Sequence, residues 1–144
     1  MGTPLYVTPE MLDHTESGAF TDLWALGVIL YEMACGVTPF AAKTDQRMFD
    51  KIRGRDFKFP PSLSDQSLIS LIDSLLQMDP KARLGMKGHQ ELKDHPFFKG
   101  VDWEAIKNQE VPAPIFDIVR DINDPSNIRS FSFYNPNESF KNKS

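Results

Sequence analysis

The sequence predicts a mainly α-helical fold. Residues 21–36 form a long, largely apolar stretch that opens on Thr21 and Asp22 and closes on Gly36, the pattern of a capped helix with a glycine stop. Over residues 65–78, Leu68, Leu71, Ile72, Leu75 and Leu76 recur three and four residues apart, which gathers them on one helix face. No stretch alternates apolar and polar residues as a half-buried strand would.

Taken in order, residues 1–18 are rich in Thr, Pro and Gly and read as a loop holding one short helix near Pro9-Glu10-Met11-Leu12. Proline suits the first turn of that helix, where its fixed φ and missing donor carry no penalty. The 21–36 helix has apolar residues on nearly every face, which predicts a buried central helix with Trp24, Leu26, Ile29 and Leu30 in the core. A polar group in such a helix needs a partner, which singles out Asp22. A turn at Thr38-Pro39-Phe40 leads to a polar helix over 46–53 and a proline-containing loop over 57–62. The 65–78 helix is expected to be capped by Ser64 and ended before Pro80, and a short helix over 91–94 stops before Pro96. Beyond Val101 the helical signal weakens, with Pro112, Pro114 and Pro125 as breakers.

Composition narrows the function classes. A chain of 144 residues can bury enough surface to need no disulfide or metal. The net charge of −4, without a run of one sign, argues against a nucleic-acid surface. Cys35 is the only cysteine, so no internal disulfide or multi-cysteine zinc site is expected, and its apolar surroundings predict an inert core thiol. His14-Thr15-Glu16 and His89-Gln90-Glu91 have the H-x-E spacing of zinc deaminases, but no P-C-x-x-C follows, so no metal site is expected. No basic segment followed by an apolar run opens the chain. The expectation is a soluble intracellular protein, in the cytoplasm and without a membrane span.

Five motifs stand in one order. Gly2-Thr3-Pro4-Leu5-Tyr6-Val7-Thr8-Pro9-Glu10 resembles the end of a protein kinase activation segment, G-T-x-x-Y-x-[AS]-P-E, with Thr8 in place of Ala or Ser. Asp22-Leu23-Trp24-Ala25-Leu26-Gly27-Val28 resembles the kinase D-x-W-x-x-G-[VC] helix. Gly36-Val37-Thr38-Pro39-Phe40, Asp79-Pro80-Lys81-Ala82-Arg83-Leu84-Gly85 and His95-Pro96-Phe97-Phe98 follow. Each motif is weak alone, and the five in order across 2–98 are specific. The last two, followed by Trp103, resemble the AGC group of serine/threonine kinases. Ile128-Arg129-Ser130-Phe131-Ser132-Phe133-Tyr134 resembles that group's hydrophobic motif as found in protein kinase C relatives, with Ile128 replacing its first Phe.

The resemblance implies a partial kinase large lobe over 1–98 and an AGC-like, partly flexible tail over 99–144. It implies that Gly2, Thr3, Pro4 and Leu5 line the pocket for the substrate residue after the phosphoacceptor; by chemistry alone they are also an ordinary turn. Glu10 and Arg83 become a buried ion pair, against the alternative of two solvated charges. Asp22 becomes the acceptor of catalytic-loop N–H groups, against a simple helix cap. Trp24 and Gly27 are structural, Ser132 is a candidate phosphosite, and Phe131 and Phe133 are the contacts to an AGC small lobe.

What the family needs for phosphoryl transfer is not found in the sequence: no G-x-G-x-x-G, no H-R-D, and Asp56-Phe57-Lys58 in place of D-F-G. The expectation is therefore a fragment of a serine/threonine kinase, beginning inside the activation segment, with the small lobe, catalytic residues, ATP site and Mg²⁺ ligands outside it. A parent enzyme would use ATP and Mg²⁺ on a protein Ser or Thr. The alternative is a non-catalytic, kinase-derived module that binds substrates or another kinase. Loss of the preceding half-lobe is expected to leave one side of the central helix open.

Overall fold

A computed structural model of the chain describes residues 6–15 and 18–112. The chain divides into two units, 1–100 and 101–144. In the described part of the first unit lie α1 (Pro9–Leu12), α2 (Ala19–Cys35), α3 (Asp45–Arg53), α4 (Gln66–Leu75) and α5 (His89–Lys93), with single 3₁₀ turns at Pro80–Ala82 and Pro96–Phe98. The second holds α6 (Trp103–Lys107), where sequence periodicity had faded; Asp102 accepts the Ala105 N–H at 3.0 Å and starts it. There is no strand among the described residues, and no helix there is long and apolar enough to cross a membrane.

The two main helices start and stop elsewhere than their patterns predict. α2 begins at Ala19, so neither Thr21 nor Asp22 caps it. Gly18 is the cap, and the Thr21 hydroxyl reaches back to accept its N–H at 3.3 Å, half of a capping box. α4 is capped by Asp65, not Ser64: one carboxylate oxygen accepts the N–H groups of Ser67 and Leu68 at 3.0 and 3.1 Å. It ends at Leu75, well before Pro80, and Arg55 satisfies carbonyls at that end. Arg55 Nε donates to the Leu76 carbonyl at 2.7 Å, and its Nη2 to the Asp73 carbonyl and carboxylate. Arg55 holds this position at φ 49°, with its guanidinium over the Phe57 ring.

The core is where α2, α3 and α4 meet. Trp24, Val28 and Tyr31 of α2, Met48 and Ile52 of α3, and Ile72 and Leu76 join Phe40 in one buried cluster. Phe57 and Phe59 close its edge by packing against Tyr31, whose hydroxyl donates to the Lys58 carbonyl at 2.7 Å. Gly27 sets how closely α2 approaches α4. A Cβ there would lie 2.9 Å from Leu76 Cδ2 and 3.0 Å from Leu75 Cβ, inside van der Waals contact.

One expectation about α2 needs correction. Only one side of it is buried: Ile29 is 40% exposed and Met33 79%. With exposed Asp22, these residues fall at i, i+7 and i+11 and make one outward stripe, continued by Val37 beyond the helix. An all-round apolar sequence cannot tell which side finds a partner within the same unit. Cys35 is half-buried and packs against the core rather than within it.

Candidate functional site: a buried ion pair joining three segments

Thr8 opens the site. Its Oγ1 accepts the Met11 N–H at 3.2 Å and caps α1, while Pro9 fills the first helical position. Glu10 follows, in the first turn, where the helix dipole favours an anion. Thr15 closes the helix from the other end, its N–H and hydroxyl both donating to the Glu10 carbonyl at 3.0 and 2.8 Å. These local bonds fix the direction of the Glu10 side chain.

Arg83 arrives from the other end of the unit. Asp79 caps the Pro80–Ala82 turn by accepting the Lys81 N–H at 2.9 Å. The Leu84 N–H then donates to the Ser74 carbonyl at 3.0 Å and anchors the chain on α4. The structure brings Glu10 and Arg83 together as a two-pronged pair, Nη1 to Oε1 at 2.6 Å and Nη2 to Oε2 at 2.7 Å. Their side chains are 6% and 0% exposed. Arg83 Nε also donates to the Gln77 carbonyl and Nη1 to that of Phe20, both at 2.8 Å. Its guanidinium lies 5.0 Å from the centre of the Trp24 ring, and that ring stacks on Phe40. One cation thus ties α1, the start of α2 and the end of α4 together. Burial pushes the Glu10 carboxyl up, but the hydrogen bonds and charge of Arg83 outweigh it and leave the pKa below the ordinary value.

Asp22 is not brought into this cluster: it is exposed, and it makes no hydrogen bond or ion pair among the described residues. Gly2, Thr3, Pro4, Leu5, Phe131, Ser132 and Phe133 lie outside the described residues. Sequence reasoning passed over Thr8 as a cap, although a threonine directly before Pro-Glu is a legible cap signal. It also passed over Arg55, for which no local signal exists.

His95 is the one buried histidine described, 9% exposed. Its Nδ1 accepts the Phe97 N–H at 3.1 Å, so Nδ1 is unprotonated and Nε2, 3.3 Å from Ser70 Oγ, carries the proton. It therefore cannot take a proton from Ser70, and the two are not a nucleophile and its base. Burial lowers the His95 pKa below 6.5. A depressed histidine contributes stability that is full above its unfolded pKa and is lost as pH falls through the folded value. The midpoint of urea unfolding is expected to fall as pH drops below about 6.5, and His95→Gln, which can still accept the Phe97 N–H, is expected to flatten that slope. An unchanged slope in the variant would remove His95 as its source.

Among the described residues no three His, Cys, Asp or Glu side chains are grouped to hold a metal.

A helical unit whose α1, α2 and α4 segments are joined through the buried Glu10–Arg83 pair is the class that this geometry defines. The chain belongs to the protein kinase domain family, whose model matches residues 1–98. It is 40% identical over 136 residues to the cAMP-dependent protein kinase catalytic subunit 2 of Drosophila melanogaster, covering 92% of this chain and 38% of that protein. It is 37% identical over 127 residues to protein kinase C of the same species, covering 88% and 17%. A third relative, protein kinase 2 of Dictyostelium discoideum, is 41% identical over 110 residues, covering 76% and 23%. These relatives include serine/threonine kinases of the AGC type. The chain spans less than two-fifths of the length of each.

Proposed function

We propose that this chain is the C-terminal part of an AGC-type serine/threonine kinase large lobe, over 1–98, followed by the group's tail over 99–144. In this reading it supplies scaffold and the substrate-side loop at Gly2, Thr3, Pro4 and Leu5, while the parent transfers the γ-phosphoryl of ATP, with Mg²⁺, to a protein Ser or Thr in the cytoplasm. Phe131 and Phe133 would seat in a small lobe, with Ser132 as the phosphosite beside them. The observation that carries the reading is the outward stripe of α2. Ile29, Met33 and Val37 are apolar and open to solvent, and Asp22, without a partner among the described residues, stands at the head of the same stripe. A face of that kind fits the preceding half of a lobe, with Asp22 accepting backbone N–H groups from it.

Calorimetry on the purified chain tests the proposal. The expected result is no specific heat of binding with ATP–Mg²⁺, since phosphate and metal ligands are assigned to the preceding half. Stoichiometric binding would overturn it. The transcript upstream of the Met1 codon gives a second readout: an in-frame continuation encoding H-R-D and D-F-G is expected, and a stop codon there would favour a free-standing interaction module.

A further inference from the structure

On another part of the first unit, the loop after Phe40 and the outer face of α3 enclose an open groove of about 290 Å³. Ala41, Ala42, Lys43, Arg47, Asp50 and Lys51 line it, so three cations face one acid. Arg47 and Lys51 are one turn apart on α3 and share a face. Lys51 Nζ donates to the Ala41 carbonyl at 3.1 Å, tying the loop that carries Lys43 to the helix. Thr44 strengthens the join by accepting the Arg47 N–H at 3.3 Å. On the opposite face of α3, Met48 and Ile52 are in the core, 7% and 1% exposed, so the helix cannot turn its cations away. The one acid is already engaged, with Gln46 Nε2 donating to Asp50 Oδ1 at 3.2 Å. Lys43 and Arg47 have no ion-pair partner among the described residues.

We propose that this groove is a docking site for an acidic segment of a protein partner. Its local excess of positive charge stands out in a chain whose net charge is −4. Single anions at exposed cations are screened by water and salt and held weakly. A peptide that presents several carboxylates in one direction engages Lys43 and Arg47 together, and the planar fork of Arg47 can take one carboxylate two-pronged. Ala41 and Ala42 are small and exposed, and leave room for the peptide main chain between loop and helix. The inference does not depend on the kinase reading, since the groove is built wholly from described residues of one unit.

The test is fluorescence anisotropy of a labelled glutamate-rich peptide against the full chain at low salt, with the glutamine version of the peptide as control. The chain is expected to bind the acidic peptide and not its control, and added salt is expected to weaken binding. Lys43→Glu combined with Arg47→Glu is expected to weaken it about tenfold or more. Lys87→Glu combined with Lys99→Glu makes the same change in net charge at exposed positions outside the groove, and is expected to leave binding nearly unchanged. Lys43→Gln, which lies outside the helix, gives a smaller loss that does not depend on α3 tolerating a reversed charge. No binding by the parent chain, equal losses in the two double variants, or full binding by Lys43→Gln would each overturn the proposal.

Discussion

Arg83→Ala is expected to destabilise the helical unit by about 3–5 kcal/mol, the range for removing one partner of a buried ion pair. Most of that loss comes from what is left behind. Glu10, buried, would keep a carboxylate with no cation to hold it, and the Gln77 and Phe20 carbonyls would lose their donor. Glu10→Gln keeps the shape but leaves the buried Arg83 cation without its anion and sets an amide N–H against an Arg83 donor, so it should destabilise strongly too. The decisive quantity is the coupling. In a double-mutant cycle by urea unfolding, the two losses should fall short of additivity by about 0.5–3 kcal/mol, as expected for residues in direct contact. Additive losses would mean that the two charges act as independent surface groups. Acid provides a separate readout. Because the Glu10 pKa is lowered, its contribution is full above the ordinary carboxylate value and is lost as pH falls through the folded one. Glu10→Gln should therefore be less sensitive than the parent chain in that acid range.

Trp24→Ala is expected to cost a similar amount, about 3–5 kcal/mol. The indole is fully buried between the Arg83 guanidinium and the Phe40 ring, which stacks at 5.5 Å with an interplanar angle of 5°. Truncation would remove the aromatic face from Arg83 and open a cavity at the centre of the cluster. Trp24→Phe should cost clearly less. It retains a ring to stack and removes Nε1, a buried donor with no hydrogen-bond partner; leaving such a group unsatisfied costs about 1–3 kcal/mol. Circular dichroism against urea measures both variants, since Trp103 would confuse a fluorescence signal. Equal losses for Ala and Phe would mean that neither the ring stack nor the volume a ring fills at this position contributes.

The sequence by itself determined the existence of the first five helices, though not all their ends, and the family. Helix existence depends on spacing and on caps within one turn, so the apolar recurrence of Leu68 to Leu76 and the glycine stop at Gly36 are legible without neighbours. Motif order is legible for the same reason, and it led to the kinase family before any contact was known. Only the tertiary structure decided which groups meet. Glu10 and Arg83 are 73 residues apart, and no local pattern distinguishes a buried pair from two solvated charges. The carbonyls at the end of α4 are satisfied by Arg55, a side chain that reaches them from a loop before the helix begins. Ile29 and Trp24 lie on the same apolar helix, yet one is 40% exposed and the other fully buried. Periodicity reports what a face is made of. Burial depends on whether another segment arrives to cover it, and for α2 that segment arrives, among the described residues, on one side alone.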